Sequence, residues 1–108
     1  MVFQKLSKGY SIEEASKEID KQLNGATAGC GPAHRIAPIA SYTKIPTNQL
    51  VDCARQEAAI THYHPIAGNC SAIMALLCRY LIEGNSWVES KKIVKQNEEL
   101  KTTWIKIA

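Results

Sequence analysis

A chain of 108 residues with 45% apolar side chains has material for one small domain with an ordinary core, and not for two. With 21% charged residues and plentiful leucine, isoleucine and valine, it is neither a charged low-complexity chain nor a wholly disordered one. The 13 Lys+Arg against 10 Asp+Glu leave a formal charge of +3, too little to argue for nucleic acid as a partner.

The opening Met1–Lys8 lacks the uninterrupted apolar core of a signal peptide, so the chain is expected in the cytoplasm. Val2, Phe3 and Leu6 suit a helical turn closed near Gly9. Ser11-Ile12-Glu13-Glu14 fits a capping box, and Ile12, Ala15, Ile19 and Leu23 then recur at helical spacing until Asn24-Gly25. Asn24 to Pro32 carries three glycines and little bulk, which reads as a shaped loop. Pro32 suits the first turn of a short helix over Ala33–Ala40, interrupted or ended around Pro38. Pro46-Thr47 opens another helix, with Thr47 as its cap and Leu50, Ala54 and Ala58 on one stripe.

Thr61-His62-Tyr63-His64-Pro65 breaks that helix, because a residue before proline is steered away from helical geometry. The next helix carries Ile66, Cys70, Ile73, Met74, Leu77, Tyr80 and Leu81 over so much of its circumference that it is expected to be the most buried element. Gly68, Asn69, Ser71 and Arg79 within it speak against a membrane span. Gly84 supplies a stop. Ser86-Trp87-Val88-Glu89 is a second capping box, after which Ile93, Asn97, Leu100, Trp104 and Ile107 fall at helical intervals on one last helix. No alternating run suggests a strand, so the expected class is all-α, a compact bundle of about five helices in one domain over residues 1–108.

Two loops can carry chemistry. In Gly29-Cys30-Gly31-Pro32-Ala33-His34-Arg35 the glycines let backbone approach an anion such as phosphate, or they serve only the turn between helices. Arg35 would grip that phosphate or form an internal salt bridge. In Thr61–Pro65, His62 and His64 offer two imidazoles to one guest, or bond backbone groups at a helix junction. Neither loop has the further ligands of a zinc site. Cys30 and His34 lack the third group that orients a thiol nucleophile. The four cysteines, 30, 53, 70 and 78, form no C-x-x-C pair and read as reduced core thiols. Lys91, Lys92, Lys95, Lys101 and Lys106 against Glu89, Glu98 and Glu99 read as a solvated face.

Together, in this order and at this separation, the two loops resemble the middle of the ADP-ribosylglycohydrolase family, which includes the dinitrogenase-reductase-activating glycohydrolases. Gly29 to Ile39 is similar to the family's G-N-G-A-A-M-R-x-A-P-I/L, Thr61 to Pro65 to its T-H-x-H-P, and Leu81-Ile82-Glu83-Gly84 to its L-x-x-G helix end; the likeness spans residues 6 to 90. The resemblance implies an all-α fold, a cleft for ADP-ribose, and two magnesium ions that help hydrolyse a glycosidic bond. Gly29, Cys30 and Gly31 would line the cleft, Arg35 would brace the loop, and His62 or His64 would face the ligand.

The chain departs from the family where the metals sit. It has neither the early T-D-D-T-like nor the late G-D-T-D-like motif, and only two aspartates, Asp20 and Asp52. No catalytic residue, metal ligand or cofactor is therefore expected. Cys30, Pro32 and His34 also replace the asparagine, alanine and methionine of the family pattern. Family members are about three times longer by this resemblance, so the chain resembles an excised central portion whose apolar faces, on the Ile66–Ile82 helix and along Trp87 to Trp104, are expected to drive a homodimer or higher oligomer. The expected function is a non-catalytic helical module that binds ADP-ribose or a related nucleotide. The alternatives are a helical interaction or regulatory protein without a small-molecule site, and a hydrolase completed by a partner chain.

Overall fold

A computed structural model describes Gly9, residues 11–22 and residues 31–107. The expected turn over Val2–Leu6, the stop at Asn24-Gly25, and Gly29 and Cys30 lie outside these. The described residues form seven helices and no strand: α1 (Ile12–Gln22), α2 (Gly31–Arg35), α3 (Ala37–Ser41), α4 (Thr47–Ala59), α5 (Pro65–Ile82), α6 (Trp87–Lys95) and α7 (Lys101–Ile107). The class is all-α, and the count exceeds the five expected because two segments are each split.

Local chemistry explains most helix starts and stops. Ser11 Oγ accepts from the Glu14 N–H at 3.1 Å while Glu14 Oε2 accepts from the Ser11 N–H at 3.5 Å, the reciprocal pair of a capping box. Ser86 Oγ accepts likewise from the Glu89 N–H at 3.2 Å to start α6. Gly84, at φ +95°, supplies the left-handed residue after α5. Thr47 does not cap α4. The cap position is Pro46, and the Thr47 hydroxyl donates instead to Glu83 Oε1 at the far end of α5.

The expected last helix breaks at Gln96–Leu100. Asn97 Oδ1 accepts from the Glu99 N–H at 3.0 Å, and the Leu100 N–H bonds the Asn97 carbonyl, so this local turn competes with the helix ladder. The turn keeps Val94 and Leu100 in the core together. Ile36, between α2 and α3, interrupts the short helix before Pro38 and is itself 1% exposed.

The core forms where α4 lies along α5, with Leu50, Val51 and Ala54 against Ala72, Ile73, Ala75, Leu76 and Leu77, closed by Ile36, Ala40, Val94 and Leu100. Leu50 is fully buried, worth roughly 1.5–3 kcal/mol. Small residues let the two helices come close: a Cβ on Gly68 would lie 3.4 Å from Arg55 Cγ and 3.5 Å from its Cα. Among the described residues α5 alone is long and apolar enough to cross a membrane, and about half of it is buried against α2, α3, α4, α6 and α7.

α5 is central but not buried all round. Ile66, Met74 and Leu81, expected inside, are exposed, while Ala67, Gly68, Ser71 and Ala72 are buried in their stead. Cys53, Cys70 and Cys78 are free, half-buried thiols, of which Cys78 packs against the core. Burial nonetheless pushes the Cys70 thiol up, which keeps it protonated and unreactive.

Arg79 is the one charged side chain that α5 carries inward, at 2% exposure. It meets no carboxylate. Its Nε donates to the Ala40 carbonyl at 2.8 Å, one terminal nitrogen to the Ile45 carbonyl at 2.6 Å, and the other to the Tyr42 carbonyl at 2.9 Å. These carbonyls sit at the end of α3 and in the loop beyond, where no helical N–H is available to them. The guanidinium thus closes α3 onto α5 and exchanges its hydration for three oriented dipoles.

Candidate functional site

The T-H-x-H-P segment lies between the end of α4 and the start of α5, and Arg35 holds it there. The guanidinium pairs through Nε with Glu57 Oε1, on the last turn of α4, and donates from a terminal nitrogen to the Glu57 carbonyl at 3.2 Å and to Thr61 Oγ1 at 2.8 Å. Arg35 therefore forms an internal salt bridge and braces the corner. Pro32, one residue into α2, is buried, and its carbonyl accepts from Ser71 Oγ at 3.3 Å, which docks α2 on α5.

Thr61 passes the arrangement to His62, with Oγ1 2.8 Å from Nδ1. Oγ1, which accepts from Arg35, has both a proton and a second lone pair for this bond, so either tautomer of the neutral ring satisfies it. Burial lowers the His62 pKa below the usual 6.5, the Arg35 charge lowers it further, and Glu57 opposes them. The ring is accordingly neutral at pH 7.

Gly31 packs directly against that ring. A Cβ there would lie 3.3 Å from His62 Cε1 and 3.7 Å from Nε2, so the missing side chain makes room for the imidazole. His64 has a second position and a different task. Its Nδ1 accepts from the Ile66 N–H at 3.2 Å and caps α5, with Pro65 in the first turn.

His62 and His64 both line a concavity of about 310 Å3, completed by Arg55, Ala59, Tyr63, Pro65, Gly68 and Asn69. The volume is at the lower end of small-molecule pockets. The fold thus unites the two histidines at one concavity, puts Gly31 in contact with His62, and sets Arg35 in the network behind Thr61. Neither Gly31 nor Arg35 lines the concavity, and Gly29 and Cys30 lie outside the described residues.

Two contributors escaped the sequence reading. Arg55 brings a cation to the concavity, held by Nε to Asn69 Oδ1 at 2.9 Å and by a terminal nitrogen to Glu99 Oε2 at 2.8 Å. Asn69 is fixed in turn by donating to Thr103 Oγ1 at 3.2 Å. The only available signal was an arginine adjoining the small apolar stripe of Ala54 and Ala58. Glu57 is the second: Oε1 holds Arg35, whereas Oε2 is buried without a hydrogen-bond partner.

The residues do not fit the pair of magnesium ions that the resemblance implies. Among the described residues no three of His, Cys, Asp and Glu gather closely enough to hold a metal ion. Asp20 stands on α1, and Asp52 stands on α4, where it lines a separate concavity with Thr47, Tyr80 and Asn97. The donor set at the histidine corner is two imidazoles with an arginine and an amide, chemistry suited to an anion rather than a hard cation.

No curated protein and no solved structure matches the chain. The sequence pattern of the ADP-ribosylglycohydrolases matches residues 1–106, nearly the whole length, and includes both the loop before α2 and the histidine corner. With that match, and with an all-α fold that brings the two motifs into contact through Arg35 and Gly31, the chain belongs to the ADP-ribosylglycohydrolase family.

Proposed function

We propose that this chain is a cytoplasmic, non-catalytic member of the family that binds ADP-ribose or a related nucleotide at the histidine corner. The observation that carries the reading is the concavity itself, where His62, neutral at pH 7, and His64 share a wall with the Arg55 guanidinium. A ribose presents hydroxyls to imidazoles and a diphosphate presents anionic oxygens to a guanidinium. The lack of the family's two aspartate-rich motifs supports binding without hydrolysis by the chain alone.

Calorimetric titration with ADP-ribose, with and without magnesium and with AMP as control, tests the proposal. Tighter binding of ADP-ribose than of AMP, unchanged by magnesium, is expected. Silence at millimolar ligand refutes the binding role, and magnesium-dependent release of free ADP-ribose from an ADP-ribosylated protein refutes the non-catalytic one. A second reading, self-association, draws on the apolar side chains left exposed on α5 and α6, among them Ile82, Trp87 and Val88, each more than half accessible.

A further inference from the structure

The lysines of α6 surround an apolar wall. Val88, Lys91, Lys92 and Lys95 fall at i, i+3, i+4 and i+7 on one face of that helix, and with Trp104 of α7 they line a concavity of about 290 Å3. Trp104 also packs against the core, which fixes it as the inner wall. The concavity shares no residue with the histidine corner. No carboxylate lines it: Glu89, the one acid of α6, stands outside, and none of the three lysines is ion-paired among the described residues. Trp87 adjoins it through Lys91, whose Nζ lies 5.5 Å from the centre of the indole ring. Trp87 is 52% exposed and Val88 58%. One face thus holds three unpaired cations together with two large apolar side chains in water.

We infer that this face docks on an anionic phospholipid surface, with the three ammonium groups on the headgroups and the Trp87 and Val88 side chains entering the boundary between headgroups and acyl chains. Both parts of the face select that partner. Unpaired lysines are drawn to a negative surface potential, and an indole beside an aliphatic side chain suits the interfacial layer, which takes an apolar body and an N–H donor together. A second copy of the chain fits this face poorly, because it would set lysine against lysine with no acid between them. A nucleic-acid backbone answers the lysines and leaves Val88 in water. Three charges and two apolar side chains make the attachment weak and reversible, far short of a membrane span.

The test uses the full 108-residue chain and sedimentation with vesicles at low salt. Binding is expected on mixed phosphatidylcholine and phosphatidylserine vesicles, to be lost at high salt and to be absent on phosphatidylcholine alone. At about five-fold per lysine, Lys92→Gln with Lys95→Gln is expected to weaken it about thirty-fold. Lys17→Gln with Lys21→Gln, which takes the same charge from α1, is expected to weaken it less than about three-fold, each double variant keeping the wild-type far-UV spectrum. Tryptophan emission is expected to shift to the blue on the anionic vesicles, and Trp87→Gln to lose most of that shift. Equal results on the two kinds of vesicle, equal losses in the two double variants, or an emission spectrum that vesicles leave unchanged overturns the membrane face. Retention of a single-stranded oligonucleotide without retention of vesicles overturns it in favour of nucleic acid.

Discussion

Replacing Arg79 by methionine keeps most of the side chain's apolar volume and removes its donors. The Ala40 carbonyl, in a buried setting, is then left unsatisfied at a cost of about 1–3 kcal/mol. The Tyr42 carbonyl keeps the Ile45 N–H at 3.1 Å and the Ile45 carbonyl regains some water, so the loss of a charged donor costs about 1 kcal/mol or less at each. Relief of the buried guanidinium's desolvation offsets part of this, and the net expectation is about 2–3 kcal/mol. A small domain has only about 5–15 kcal/mol in total. Urea unfolding followed by circular dichroism measures the effect. With a slope of about 2 kcal/mol/M, the midpoint falls by about 1 M at unchanged slope. Arg79→Lys, which keeps the charge but cannot fork to three carbonyls, falls between the two. A methionine variant within about 1 kcal/mol of the wild type shows that water can serve those carbonyls equally well, and refutes the assignment of Arg79 as the closure between α3 and α5.

The remaining predictions concern the histidine corner. Because the folded state disfavours protonated His62, the unfolded chain takes up a proton that the native one refuses. Stability is full above the unfolded value of 6.5 and falls as pH drops through the lowered folded value; His62→Gln flattens that slope, and chemical denaturation at pH 7 and pH 5 reads the difference. Gly31→Ala presses a methyl against His62 Cε1, so a net loss of about 1 kcal/mol is expected after the helix-propensity gain, together with weaker ADP-ribose binding. His64→Ala removes the α5 cap and costs about 1 kcal/mol in thermal unfolding, more than His62→Ala does, because only His64 bonds a helix-start N–H. His62→Ala is expected to lower ADP-ribose affinity about ten-fold, the worth of one lost hydrogen bond; unchanged titrations for both alanine variants make them junction residues only.

The all-α class, both serine caps, the stop at Gly84 and the proline-marked break before α5 were legible in the sequence, because each depends on residues within about four of one another. The chain order of the two loops already pointed to the family. What the sequence could not supply was what meets what across tens of residues. Thr47 looked like a cap and bonds Glu83, 36 residues away. Arg79 looked like an obstacle to a membrane span and closes a loop 34 to 39 residues earlier. An internal salt bridge was the commoner fate to expect of Arg35, and only the fold named Glu57 and Thr61 as its partners.

The site divides along the same line. Composition and local spacing determined that two histidines and a glycine-rich turn flank short helices, and that the family's aspartate motifs are missing. Only tertiary packing decided that Gly31 makes space for His62, that Arg55 brings its charge to the same concavity as both imidazoles, and that one face of α5 stays open. The physical reason is that caps and turns are fixed by short-range hydrogen bonds. The burial of an arginine, the lowering of an imidazole pKa and the exposure of a helix ridge are set by which distant surfaces exclude water from one another.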